Sequence, residues 1–363
     1  ILVKVYNDDI KNGTIEIPNN VTSIGENAFT NCTSLKSINI PESVTSIGNY
    51  VFSLCHYLKE ITLHDSLISI GEGVFLDCRS LKEIIIPNGI TSIGEGTFNQ
   101  CYSLKSITLP NSLTSIGSYA FYGCSSLKEI IIPNGITNIG ESAFYNCKSL
   151  KTINIPESVT SIGEHTFSYC SSLKSINIPE SVTSIGNYVF SHCHSLERII
   201  IPDNVTCIDD NAFSWCISVK SVTLPNSLTS IGCHAFFGCT LLEKINIQKG
   251  VISIGYSAFS HCPSLKEIIL PDSVTSIGSH AFSDCPSLKE ITIPESLTSI
   301  GSCAFFDCNS LNQLITPYGN IEISKNNDVV LNYLYLYANS ILKDKYFDFN
   351  IFLDNYYIDR VIN

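Results

Sequence analysis

The chain has 363 residues, 44% of them hydrophobic, and a formal net charge of −12 with an isoelectric point near 5.1. That is ample apolar material for a large buried core, and length alone suggests two or three globular domains. The acidic balance argues against nucleic acid and anionic membrane surfaces as main partners, and no apolar run reaches the ~18 residues that would span a bilayer.

Residues 1–17 hold a partial coil in which Ile15 and Ile17 imitate a strand. Asp8 and Asp9 fall where the apolar stretch of a signal peptide would lie. The sequence contains no Met, so a fragment or a processed product is expected, with any targeting segment outside it.

From residue 18 the sequence repeats every 23 residues. Gly25, Gly48 and Gly71 open a glycine series that reaches Gly301 with Asp209 as its one substitute. Phe follows four residues after each, unbroken from Phe29 to Phe305, and Cys three residues later, unbroken from Cys32 to Cys308. Three residues further comes Leu, with Val219 as its single replacement. Thirteen repeats therefore fill residues 18–316. A fixed period between ~20 and ~29 residues with an L-x-x-I-x-I core is the mark of a leucine-rich-repeat solenoid, which overrides the multi-domain expectation from length.

Each segment of the unit has a physical reading. In residues 35–40, Leu35, Ile38 and Ile40 point inward while Ser37 and Asn39 point outward, the two-residue alternation of a strand. Pro41 ends the strand because it cannot donate to a ladder. Val44 and Ile47 turn back inward, and Gly48 is expected to hold a backbone conformation other residues resist. The A-F-x-x-C-x-x-L stretch suits a 3₁₀ or single helical turn. The expected architecture is one solenoid of the α/β horseshoe class, dominated by β-structure, with one short strand per coil. Phe144 is expected inside and Ser142 outside. Residues 38–53 are identical to residues 176–191, which reads as duplication of a block.

After Pro317 comes a degenerate half-coil and then a tail rich in Tyr, Phe, Asn and Asp. Asp328 is placed to cap a helix whose face is Val330, Leu334, Tyr337 and Ile341. The segment 317–363 reads as a partly helical cap over the open end of the core, or as a separate interaction module.

The motif I-P-x-S-V-T-S-I-G-x-x-A-F-x-x-C-x-S-L-K, repeated over residues 18–316, resembles the BspA-like class of leucine-rich repeats. That family is found in surface proteins of host-associated bacteria and parasitic protists, whose members look like adhesins and partner-binding surfaces. The resemblance implies a non-catalytic, macromolecule-binding scaffold at the cell surface or secreted, binding a host or matrix protein. The alternative is an intracellular, cytoplasmic scaffold for protein–protein interaction.

No catalytic or cofactor motif emerges: there is no G-x-S-x-G, no H-E-x-x-H and no phosphate loop. Zinc sites need closely paired cysteines, whereas here the Cys recur at 23 and read as a buried ladder of small thiols. His192 and His194 flank Cys193 but should point away from it, and the other histidines read as two or more coils apart. Asn12, Asn20, Asn31 and Asn204 stand in N-x-Ser/Thr sequons.

Two surface features exceed this background. Lys follows the repeat Leu in ten coils, among them Lys82, Lys105, Lys128, Lys151 and Lys174, while Glu197, Glu243 and Asn312 fill the other three places. Beside this row the outward strand position carries Ile85, Ile131, Ile200 and Ile269 among Asn and Thr. The pattern reads as a solubilising row with cross-strand packing, or as a site for an acidic protein or a sulfated glycan. The second feature is an aromatic group at variable positions: Tyr119, Tyr122, Tyr145, Tyr169, Tyr188 and Trp215. It reads as a shield over the Phe row or as a second binding patch.

Overall fold

In the computed structural model, which describes residues 1–316 and 319–322, the chain winds into a parallel-strand solenoid. Each coil contributes a three-residue strand, such as Ser37–Asn39, and a two-residue strand, such as Ser46–Ile47. Both series have thirteen members, the first ending in a four-residue strand at Gln313–Thr316 and the second at Ser299–Ile300, so in each series twelve full turns separate the first strand from the last. Every pairing between coils is parallel and in register, Ile38 against Ile61 and Ile47 against Ile70.

The second strand corrects the expectation of one per coil. Once coils stack in phase, any extended stretch meets its own copy one rung away, so even two residues suffice for a ladder. Residues flanking these strands extend it. Thr114 and Thr160 donate their hydroxyls to the Thr91 and Thr137 carbonyls one coil earlier. Ser112 and Ser158 do the same to Ile90 and Ile136.

The third side of the coil is neither helix nor strand. The Ala28, Thr30 and Cys32 N–H groups bond three residues back, as in a 3₁₀ turn, but those of Asn27, Phe29 and Asn31 bond forward to Asn49, Val51 and Ser53 of the next coil. Residues two and six after the repeat Gly sit in the left-handed region throughout, for example Asn27 at φ 56° and Asn31 at φ 61°. These reversals turn alternate N–H groups outward along the stack, so a 3₁₀ helix cannot form. Among the described residues the one 3₁₀ helix is Asn7–Asp9.

The repeat Gly has a different reason from the one expected. Its φ lies outside the left-handed region; what it lacks at most positions, though not at Gly94 or Gly186, is room. A Cβ on Gly255 would sit 2.6 Å from the backbone nitrogen of Cys233, one coil earlier. Likewise Ser142 is buried, not outward, and holds φ 53°.

The core is a set of columns. Phe29 through Phe305 stack ring on ring, with centroids 5.0 Å to 5.8 Å apart. Leu, Ile, Val and Cys columns surround them, and the Cys column is buried throughout. At the N-terminal end, Leu2 bridges to Ile24, and Val5, Ile10 and Ile17 are buried against the first coil. At the other end, the strand Gly319–Glu322 turns back antiparallel onto Gln313–Thr316. The helix expected from Asp328 lies outside the described residues. Among those described, no helix is long and apolar enough to cross a membrane.

Candidate binding surface

The three-residue strands place two outward columns side by side, and the lysine row runs immediately before them. Successive rungs are fixed by backbone bonds from the Lys59 N–H to the Lys36 carbonyl at 2.7 Å, and from Lys151 to Lys128 and Lys174 to Lys151 at 3.0 Å. Lys82, Lys105, Lys128, Lys151 and Lys174 are all exposed, and among the described residues none of them forms an ion pair. Beside them Ile131 is 85% exposed and Ile85 70%, with Ile200 and Ile269 also exposed. The structure thus brings the predicted strand-face residues onto one surface.

That surface is not flat. The ladder of three-residue strands is interrupted after Glu60–Thr62, after Ser106–Thr108 and after Ser175–Asn177. A groove of about 420 Å³ lies at the first interruption, lined by Thr62, Glu83, Ile85 and Ser106. Another of about 530 Å³ lies at the second, lined by Ser106, Glu129, Ile131 and Thr152.

The aromatic group occupies the left-handed side of the coil. Tyr122 stacks on Tyr145 at 4.7 Å, Tyr145 meets Tyr169 at 5.3 Å, and Tyr119 meets Tyr122 at 6.0 Å. The ribbon is longer than the sequence suggested, because histidines complete it: His192 lies between Tyr169 and Trp215, and His165 stacks on Tyr188 at 4.5 Å. Phe237 extends it from Trp215, and both His234 and His261 contact Phe237. These histidines are therefore closer together than their reading as residues two or more coils apart. The signal was present in the register, since His165, Tyr188 and His234 all stand two residues after the repeat Gly or its substitute. Ring faces in this ribbon are largely consumed by neighbouring rings; Tyr169 and Trp215 each remain 39% exposed.

With the coil, the core columns and both surfaces described, the kinship of the chain can be read. The family model described as BspA type leucine rich repeat region (6 copies) matches residues 3–115, 91–220 and 206–327. The chain belongs to the BspA-type leucine-rich-repeat family. Among solved structures, a leucine-rich repeat protein of Bacteroides ovatus is 32% identical, with 86% of this chain and 88% of that one covered and a TM-score of 0.60. A leucine rich cell surface protein of Faecalibacterium prausnitzii is 30% identical, over 88% and 90% of the two chains, with a TM-score of 0.58. The pneumococcal vaccine antigen PcpA shares the fold alone, at 19% identity and TM-score 0.53 over 92% and 88%. A search among curated proteins returned no match.

The remaining chemistry of this BspA-type chain is inward. The Cys170 thiol donates to the Phe144 carbonyl of the coil before at 3.2 Å, and its counterparts repeat the bond along the column. Burial pushes the Cys170 and Cys216 thiols up to about 12. They therefore stay protonated, which suits a donor and removes the thiolate that reactivity needs. No disulfide joins any of the described cysteines. Asp77 is the one buried carboxylate among the described residues. Burial alone would raise its pKa, but hydrogen bonds from Arg79 at 2.8 Å and 2.9 Å, and from His56 at 2.9 Å, outweigh it and hold the carboxyl below its ordinary value.

Proposed function

We propose that this solenoid is an adhesin-like binding scaffold, exposed on a cell surface or secreted, and that a host or matrix protein docks on its strand face. The observation that carries the reading is Ile131, left in water at a groove beside a row of lysines that form no ion pair among the described residues. Exposed apolar area costs roughly 25 cal/mol per Å² until something covers it. Apolar residues set at intervals within a polar face, with like charges beside them, suit a surface that excludes water when occupied. The aromatic ribbon offers fewer free ring faces and serves first to shield the Phe column. The cell-surface description of the Faecalibacterium relative, at 30% identity, supports the location.

The test has two arms. Antibody raised against the chain should label unpermeabilised source cells or their medium; label confined to permeabilised cells would favour the cytoplasmic scaffold. The immobilised chain should capture a protein from extracellular-matrix extract, and the variant carrying Ile85→Asn, Ile131→Asn and Ile200→Asn should lose it while keeping its circular dichroism. Capture by both proteins would move the site to the ribbon around Tyr145 and Trp215.

A further inference from the structure

We propose that the strand face takes an extended acidic polypeptide segment bearing apolar side chains, and takes it along its first seven coils only. This rests on the strand face being the docking surface. The charge on that face is divided along the solenoid. From Lys36 to Lys174 every coil places a Lys after the repeat Leu, and among the described residues none of these lysines is ion-paired. At the eighth coil Glu197 takes the place and Arg198 follows; at the tenth, Glu243 takes it and Lys244 follows. That exchange of order lets charges meet across coils: Lys266 Nζ pairs with Glu243 Oε2 at 2.7 Å, and Lys244 Nζ with Glu267 Oε2 at 3.6 Å.

Counting the Lys row and the strand position after it, the first seven coils carry seven lysines against Glu60, Glu83 and Glu129. The last six carry five basic residues against four acidic ones. The second half of the face is neutralised from within, whereas the first holds like charges one rung apart, where they repel. Such a row is relieved by an anionic partner, and its own carboxylates do not supply one.

The same half contains the apolar contacts that decide between kinds of polyanion. The two grooves at the ladder interruptions include Ile85 and Ile131. A sulfated glycan would cover these isoleucines with polar groups, while a polypeptide can place its own apolar side chains there and its carboxylates on the lysines. Seven rungs at ~4.8 Å span about 30 Å, the length of about nine extended residues.

The experiment uses the full chain and a labelled decapeptide alternating Asp and Val, titrated by fluorescence anisotropy at low salt, with deca-aspartate and heparin as comparators. The decapeptide is expected to bind, and to weaken as salt rises. Lys105→Glu, Lys128→Glu and Lys151→Glu together should weaken it by about tenfold or more, and the same three changed to Gln by less. Lys220→Glu, Lys266→Glu and Lys289→Glu together should change it less than about twofold. Ile85→Ser with Ile131→Ser should weaken the Asp–Val peptide several-fold and leave deca-aspartate unchanged. Equal losses from the two lysine triples would overturn the division of the face. Heparin binding tighter than the peptide, indifferent to the isoleucines, would make it a glycan surface. If no peptide binds while matrix capture still depends on Ile131, this inference fails and the docking surface stands; if that dependence is also absent, the docking surface fails with it.

Discussion

At the scale of the residue, Cys170 shows why the column is cysteine. The side chain must be small enough to lie between the Phe and Leu columns, and the Phe carbonyl it faces has a second lone pair to satisfy. Phe144 accepts the local N–H of Cys147 at 3.2 Å and the thiol of Cys170 at 3.2 Å; alanine would leave the second position empty in a buried site. The histidines of the ribbon carry a different consequence. Burial, and then the nearby His194, lowers the pKa of His192; burial lowers that of His234, with Asp210 partly opposing it. The unfolded chain therefore binds protons more readily, so their contribution to stability is complete above about pH 6.5 and declines as pH falls below it. The urea midpoint is expected to be lower at pH 5 than at pH 7.5, and the drop should shrink in a His192→Gln, His234→Gln variant. Asp77, whose pKa is lowered, loses its contribution only below about pH 4, so it does not obscure this window. An unchanged drop in the double variant would assign the effect to other groups.

The element here is the coil, and its energetics follow from its columns. Phe144 is fully buried, with its neighbours' centroids at 5.2 Å and 5.6 Å. Phe144→Ala should cost about 3–5 kcal/mol through lost burial, a cavity and two broken ring contacts. Ser142, in the same coil, reads from sequence as an outward residue where any small change is harmless. Its burial and φ of 53° say otherwise. Ser142→Gly should stay within ~1 kcal/mol of the parent, whereas Ser142→Val should lose about 1–2 kcal/mol, because a branched side chain resists the left-handed region. Urea denaturation of the three variants measures this, and a neutral Ser142→Val would refute the backbone argument. The same strain is borne repeatedly by bulky residues, at Tyr119, Tyr169, Tyr188 and Trp215. Ring contacts with neighbouring coils offset it at Tyr169, Tyr188 and Trp215, and a hydrogen bond from the Tyr119 hydroxyl to Glu141 of the next coil does so at Tyr119, which ties the ribbon to the backbone that presents it.

On the scale of the whole molecule, a stack whose coils touch mainly their neighbours has stability that adds along its length. Removing residues 130–152, one full period, should leave every column in phase and shift the melting temperature by only a few degrees. Removing residues 130–140 should bring polar positions into the core columns and abolish cooperative melting. Calorimetry of the two deletions decides it; equal damage would mean the coils are not interchangeable.

The period, the stacking of coils, the Phe, Cys and Leu columns and the outward Lys and Ile rows were all legible in the sequence. They are encoded within one unit, by which side chains are apolar and how far apart they stand. What only the tertiary structure decided arises between units. The second ladder, the reason for Gly255, the thiol bond from Cys170 to Phe144, the place of the histidines in the ribbon and the cross-coil pairing of Lys266 with Glu243 all join residues 22 to 27 positions apart, or 46 in the ribbon from Trp215 by way of Phe237 to His261. A repeat states its own inside and outside. How it meets its copy depends on the phase and close approach of the stacked backbones, and those follow from packing every coil against the next.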